Sequence, residues 1–224
     1  PNQLADVKLY SDGLLDKLEK LVVDAYSSRT PGKIRWALDQ VNFAINRRVL
    51  EGGKWKDFGE TPGGPVDHDL PVLRATDSEG RVLALLINYA CHGTTLLPQH
   101  NFVHGDWIGA TQEMIEKKYP GITAMVAIGC AGDSNPSPRG EFAYVSQHAA
   151  MITDKIDELL KTNKFTTLND VPVGKMKSVE LTFVHVPDAK EFVEQSSLEG
   201  ARGLYARNSL SILAQGGTIS PTMS

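Results

Sequence analysis

With 224 residues, 41% hydrophobic and 22% charged, the chain has the size and make-up of an ordinary globular protein able to bury one sizeable core. A formal net charge of -4, with no basic stripe, excludes the electrostatic footprint of a nucleic-acid binder. No run approaches the roughly 18 to 20 apolar residues of a membrane-spanning helix, and Pro1-Asn2-Gln3-Leu4 has nothing of a signal peptide.

Taken in chain order, Asp12 to Tyr26 carries Leu14, Leu15, Leu18, Leu21, Val22 and Ala25 at helical spacing with charges opposite, which predicts an amphipathic helix. Thr30-Pro31-Gly32 breaks it, and residues 32 to 44 alternate weakly, as a strand or extended chain. Residues 42 to 48 lead into a loop rich in Gly, Lys and Pro from Glu51 to Pro65. Leu70 to Thr76 and Val82 to Tyr89 flank the turn Asp77-Ser78-Glu79-Gly80, so the two runs form an antiparallel hairpin. Gly105 to Tyr119 reads as a helix stopped by Pro120-Gly121, and Ile122 to Ile128 as a second buried strand. Glu141 to Lys161 is a long helix with Val145, Ile152, Ile156, Leu159 and Leu160 on its inner face. Val179 to Val186 alternates as a strand, and Asp188 to Tyr205 reads as a helix. The sum is one α/β or α+β domain, a mixed β-sheet flanked by helices.

Chemistry concentrates at two strand ends. The run Val82-Leu83-Ala84-Leu85-Leu86-Ile87 is a strand buried on both faces, and soon after it comes His92, at the lip of the sheet. The run Ile122 to Ile128 ends in the small, polar Gly129-Cys130-Ala131-Gly132-Asp133-Ser134-Asn135-Pro136. If the two strands are neighbours, His92 faces the Asp133 to Asn135 segment. An imidazole there needs a metal, a carboxylate or backbone to satisfy its nitrogens. Asp106 is placed to cap the helix after His104, or else to hold a ligand residue from behind. Of the other histidines, His68 reads as a loop residue bonded to a carboxylate, His148 and His185 as structural, and His100 as solvated. Cys91 and Cys130, the only cysteines, are too few for a disulfide scaffold. Each sits beside one strand end, where the two can approach, but they read as small buried thiols. Ser134, His92 and Asp106 or Asp133 compose a hydrolytic triad on paper, yet G-x-S-x-G is missing. H-E-x-x-H, a P-loop and a dinucleotide fingerprint are missing too. The residues alone reach a hydrolase-like site centred on His92.

An ordered set of segments goes further: Ala44-Ile45-Asn46-Arg47-Arg48; Val66-Asp67-His68-Asp69 leading to Val72-Leu73-Arg74; Ile87-Asn88-Tyr89-Ala90-Cys91-His92-Gly93; Gly105-Asp106-Trp107-Ile108-Gly109; and Gly129 to Pro136. In this order the chain resembles the neutral/alkaline, non-lysosomal ceramidase family in its N-terminal zinc-dependent amidase domain. The resemblance implies that His92 is a zinc ligand and that Arg47 holds or polarises an oxygen of the substrate amide. Zinc would lower the pKa of its bound water and polarise the carbonyl. Asn88, His104, Asp106 and Asp133 complete the expected site, touching substrate or bracing the groups that do. Ser134 and Asn135 join Arg47 as the catalytic candidates, with one departure: the family's Gly-Asp-x-Ser-Pro serine falls at Asn135, and the hydroxyl has moved to Ser134. An asparagine donates hydrogen bonds to an oxyanion but is no nucleophile.

The family takes its other zinc ligands from a Thr-His-Thr-His segment upstream of Pro1 and from a glutamate and a tyrosine beyond Ser224. The missing initiating Met fits the same expectation: residues 1–224 are the central part of one catalytic domain, and this piece alone holds zinc weakly or not at all. The implied activity is zinc-dependent hydrolysis of an N-acylsphingosine or related lipid-like N-acyl amide, in a secreted or periplasmic protein. The alternatives are a metal-free serine hydrolase using Ser134 and a catalytically inactive lipid- or carbohydrate-binding relative.

Overall fold

Alternation of buried and open residues along two neighbouring strands organises the fold. The computed structural model describes residues 3–101, 103–169, 173–182, 185–219 and 222–223. In chain order its first elements are α1 (Gln3–Ser27), β1 (Gly32–Gln40), β2 (Ala44–Asn46), β3 (Arg48–Glu51), β4 (Lys54–Phe58), β5 (Asp69–Asp77) and β6 (Val82–Tyr89). They are followed by α2 (Asp106–Lys118), β7 (Thr123–Ile128), β8 (Ser134–Pro136), α3 (Phe142–Thr162) and β9 (Thr166–Thr167).

A five-stranded mixed sheet runs in the order β7-β6-β5-β1-β9. The expected hairpin is present: β5 and β6 pair antiparallel, with Leu73 opposite Leu86 and Arg74 opposite Leu85. The Asp77 carboxylate closes its turn by accepting from the backbone N–H groups of Glu79 and Arg81, both at 2.9 Å. β7 pairs parallel with β6, from Ala84 opposite Thr123 to Tyr89 opposite Ile128. Leu70, Val72, Leu85, Ile87, Tyr89 and Ala124 point to the face covered by α2 and α3, where they meet Trp107, Ile115, Ile152 and Ile156. Each large apolar side chain so buried contributes about 1.5–3 kcal/mol. The Tyr89 hydroxyl keeps its polarity satisfied there, donating to Val41 O at 2.7 Å and accepting from Ala44 N at 3.2 Å.

Several elements differ from the sequence expectations. α1 starts at Gln3 rather than near Asp12, because Val7 and Tyr10 continue the same apolar stripe. Its apolar face, including Leu18, Leu21 and Val22, stays open to solvent. The stretch read as a loop from Glu51 holds the hairpin β3-β4, turned by Gly52 and Gly53 at φ 59° and 77°. Two consecutive positive φ values are what a tight two-residue hairpin turn needs, and glycine supplies them without strain. β8, inside the segment read as an irregular loop, is a three-residue strand paired with β2.

The chain forms two compact units, Pro1–Asp170 and Val171–Ser224. In the second, β10 (Leu181–Thr182) pairs with β11 (Thr222–Met223), so the strand expected over 179 to 186 is short among the described residues; positions 183 and 184 lie outside them. The single helix expected from Asp188 to Tyr205 is two, α4 (Ala189–Ser196) and α5 (Gly200–Ala214). Asp188 and Glu191 form a reciprocal capping box at the start of α4. The break packs tightly: a Cβ on Gly203 would lie 1.8 Å from Leu198 O. No helix among the described residues is long and apolar enough to cross a membrane.

Candidate active site

Because β6 and β7 are parallel neighbours, their C-terminal ends open on one edge of the sheet, where open α/β sheets place ligands. The chain leaving β7 folds back over the chain leaving β6, with Gly129 N donating to Tyr89 O at 3.0 Å and His92 N to Ser134 O at 3.1 Å. The crossing is close: a Cβ on Gly129 would lie 2.8 Å from Asn88 Oδ1 and displace that side chain.

The same Ser134 carbonyl lies 3.1 Å from His92 Nδ1. A carbonyl only accepts, so Nδ1 carries the proton and Nε2 presents its lone pair. Among the described residues Nε2 has no protein partner. The expected need for a satisfied imidazole is thus half met by backbone, with the other nitrogen held ready for an electrophile or proton. From behind, Trp107 Nε1 at the start of α2 donates to His92 O at 2.9 Å, fixing the backbone of the segment.

Arg47 and Asn135 come together through the β2-β8 pair, in which Ile45 lies opposite Asn135 and Asn46 opposite Ser134. Arg47 N donates to Asp133 O at 2.8 Å. The Arg47 guanidinium donates to Gly132 O through Nε (3.2 Å) and Nη2 (3.0 Å), and to Asn135 Oδ1 through Nη1 (3.3 Å). It also lies over the Phe58 ring, 4.7 Å from its centroid. Asn135 Oδ1 takes a second bond from Thr94 Oγ1 at 3.2 Å. An arginine is only a donor, which orients the amide and leaves Asn135 Nδ2 to donate. Asn46 Nδ2 donates to Asp133 Oδ2 at 3.4 Å and to Pro65 O at 2.8 Å, bracing the same turn.

Other expected site residues lie apart from this set or play a different part. Ser134 is 2% exposed and its hydroxyl meets no partner but the Cys91 thiol among the described residues, while its carbonyl serves His92. Its side chain lies beside the buried Cys91 thiol, whose pKa is pushed up to about 12 by burial above all, with the Ser134 hydroxyl acting against the rise. Asn88 alternates to the other face of the sheet, bonds Ala127 O at 3.2 Å and borders a shallow apolar depression with Trp36, Leu73 and Leu86. His104 is exposed and accepts the Asp106 N–H on Nδ1 at 2.8 Å.

Asp106 is not the N-cap of α2; Gly105 is, and no side chain caps there. Asp106 is the first helical residue, at φ 53°, and its carboxylate accepts from Trp107 N at 2.7 Å and Leu96 N at 2.9 Å. It clasps the helix start to the loop that follows His92. A pocket of about 310 Å³ opens there, lined among others by Thr94, Leu97, His100, His104 and Arg139.

The remaining histidines and cysteines separate cleanly. His148 is buried, stacked on Phe43 with centroids 4.3 Å apart, and bonds Pro138 O at 2.8 Å; burial pushes its pKa down. His68 Nδ1 is buried with no partner, so the expected carboxylate bond is not made. His100, expected to be solvated, is half-buried and bonds Gly140 O at 2.8 Å. His185 pairs with Glu191 at 3.0 Å at the start of α4. Both thiols are free, and Cys130 is exposed rather than buried.

For zinc, His92 Nε2 is a suitable donor, but a catalytic site takes three protein ligands. Among the described residues no group of three or more His, Cys, Asp or Glu is placed to hold a metal ion. The described residues do not by themselves make a zinc site. Thr94 and Phe58 escaped the sequence reading. Thr94 had a weak signal, a hydroxyl two residues past His92, whereas Phe58 belongs to the hairpin read as loop.

Neither protein-family models nor curated protein sequences match the chain. Solved structures do. A ceramidase complexed with C2 superposes at a TM-score of 0.53 and 19% identity, over 63% of this chain and 24% of its own. The neutral ceramidase from Pseudomonas aeruginosa gives a TM-score of 0.56 and 16% identity, over 71% of this chain and 27% of its own. The chain therefore spans about a quarter of the length of the neutral ceramidases it resembles, and what it shares with them is the fold.

Proposed function

We propose that the chain is part of a zinc-dependent amide hydrolase of the ceramidase type, acting on a lipid-linked N-acyl amide such as an N-acylsphingosine. The observation that carries this reading is the His92 imidazole, held by a backbone carbonyl so that Nε2 is free, on the sheet edge where Arg47 and Asn135 are joined. The shared fold with neutral ceramidases supports it. In this reading His92 supplies one zinc ligand and the others come from outside the 224 residues. The protein works outside the cytoplasm, secreted or periplasmic.

The chain's own residues act on the carbonyl oxygen of the substrate. The fixed bonds of Arg47 to Gly132 and Asn135 hold its guanidinium without reorganisation when negative charge develops. Asn135 Nδ2 is the second donor, its orientation set by the two donors on Oδ1. Hydrolysis forms a bond from water oxygen to the acyl carbon, breaks the C–N bond and passes a proton to the leaving amine. Donors placed on the oxyanion each accelerate such a step by roughly 10²–10³. Ser134 takes no part as nucleophile, having no imidazole bonded to its buried hydroxyl.

The test is N-acylsphingosine hydrolysis by the full-length protein, with Arg47→Lys and Asn135→Ala beside the parent. Turnover that falls by about 10²-fold in each variant supports the reading. Tight substrate binding without product in the parent identifies an inactive binding relative instead.

A further inference from the structure

At the opposite end of the sheet from His92, three cations line one pocket, and neither of its carboxylates pairs with them. Arg35 on β1 and Arg74 on β5 are direct cross-strand partners, and Lys33 shares their face of β1. Like charges directly opposite in an antiparallel ladder repel, so this pairing is unfavourable as it stands. Arg74 is 6% exposed. It gives one N–H to Asn163 Oδ1 at 2.9 Å and stacks on Phe165 at 4.1 Å, but its Nε is buried with no partner. A buried, incompletely bonded guanidinium is costly unless something outside the protein completes it.

Around these groups lies a polar pocket of about 340 Å³, lined also by Thr76, Ser78 and Gly80. Its two acidic residues are engaged elsewhere: Asp77 pairs with Arg81 Nε at 2.7 Å, and Glu79 lies 3.5 Å from the same nitrogen. No ion pair joins either to Lys33, Arg35 or Arg74 among the described residues. We infer that this pocket is an anion site for a tetrahedral oxyanion, phosphate or sulfate, whether free or as the end group of a larger ligand. Two guanidinium forks and a lysine match such an oxyanion in charge and in donor geometry. The anion neutralises the Arg35–Arg74 contact and accepts from the guanidinium and ammonium groups of Arg35, Arg74 and Lys33 that line the pocket. The pocket lies about seven residues along β6 from His92, roughly 20 Å away, so it does not belong to the amidase site.

Thermal unfolding of the 224-residue protein tests this, read by tryptophan fluorescence, since all three tryptophans lie in the first unit. Inorganic phosphate, compared with chloride at matched ionic strength, should raise Tm saturably by roughly 2–4 °C. Arg74→Gln tests the buried cation but removes packing, so Arg35→Gln is the second variant. It should abolish the phosphate-specific rise and, by removing the like-charge contact, raise Tm in chloride. Glycerol 3-phosphate forms a separate arm: a rise equal to that of phosphate assigns the pocket to phosphomonoester end groups, and a rise with inorganic phosphate alone assigns it to the free ion. Equal Tm in phosphate and chloride, or an undiminished phosphate effect in Arg35→Gln, overturns the proposal.

Discussion

Replacing Asp106 by alanine removes the clasp between α2 and the loop that carries Thr94 and Leu96. Its carboxylate satisfies two backbone donors, Trp107 N at 2.7 Å and Leu96 N at 2.9 Å, at a residue only 6% exposed. Each donor left unpaired costs about 1–3 kcal/mol. Loss of a negative charge in the first turn of the helix adds about 0.3–1 kcal/mol. Alanine also tolerates φ 53° less well than aspartate, whose short polar side chain favours the left-handed region. Together these come to about 2–7 kcal/mol, to be read by urea unfolding followed through tryptophan fluorescence, which senses the buried Trp107. Asp106→Asn keeps one acceptor oxygen and should lose about half as much. An Asp106→Ala protein within about 1 kcal/mol of the parent would refute the clasp, because it would mean both N–H groups find water at no cost.

Three further outcomes follow from the geometry. His148 is held neutral by burial, so its folded pKa lies below the unfolded value of about 6.5. The unfolded chain then binds more protons, and stability falls as pH drops below about 6.5; urea titrations between pH 7 and 5 should show a shallower fall in His148→Gln. A thiol reagent should label Cys130 in the native protein and Cys91 only after unfolding, since Cys91 is fully buried with its pKa pushed up to about 12. Gly203→Ala should unfold the α4-α5 pair, because the added methyl would sit 1.8 Å from Leu198 O; limited proteolysis confined to residues 171–224 would register it.

What could be read in advance follows the range of the forces involved. The β5-β6 hairpin, α2 and α3 were legible because local periodicity and turn residues specify them. The meeting of His92 with the segment after β7 needed only the parallel pairing of two apolar runs, which bury one face rather than the two expected, with Leu83, Met125 and Ile128 left exposed. β8 was not legible, for three residues become a strand only when β2 lies alongside. The Gly52-Gly53 turn carried a hairpin signal between Leu50 and Trp55 that the surrounding lysines and glycines obscured. Asn88 is instructive: with Leu85, Ile87 and Tyr89 facing the core, strand alternation already sends Asn88 to the opposite face of the sheet. The clasp made by Asp106 depends on a backbone N–H ten residues earlier, and no pattern in sequence announces that.

The central claim is that His92 Nε2 is a metal ligand in the full-length protein. Zinc content per chain, measured after dialysis for the full-length parent and for His92→Ala, tests it most directly. The account predicts one tightly held zinc in the parent and its loss in the variant, with the fold retained by circular dichroism. Undiminished zinc in folded His92→Ala would contradict it.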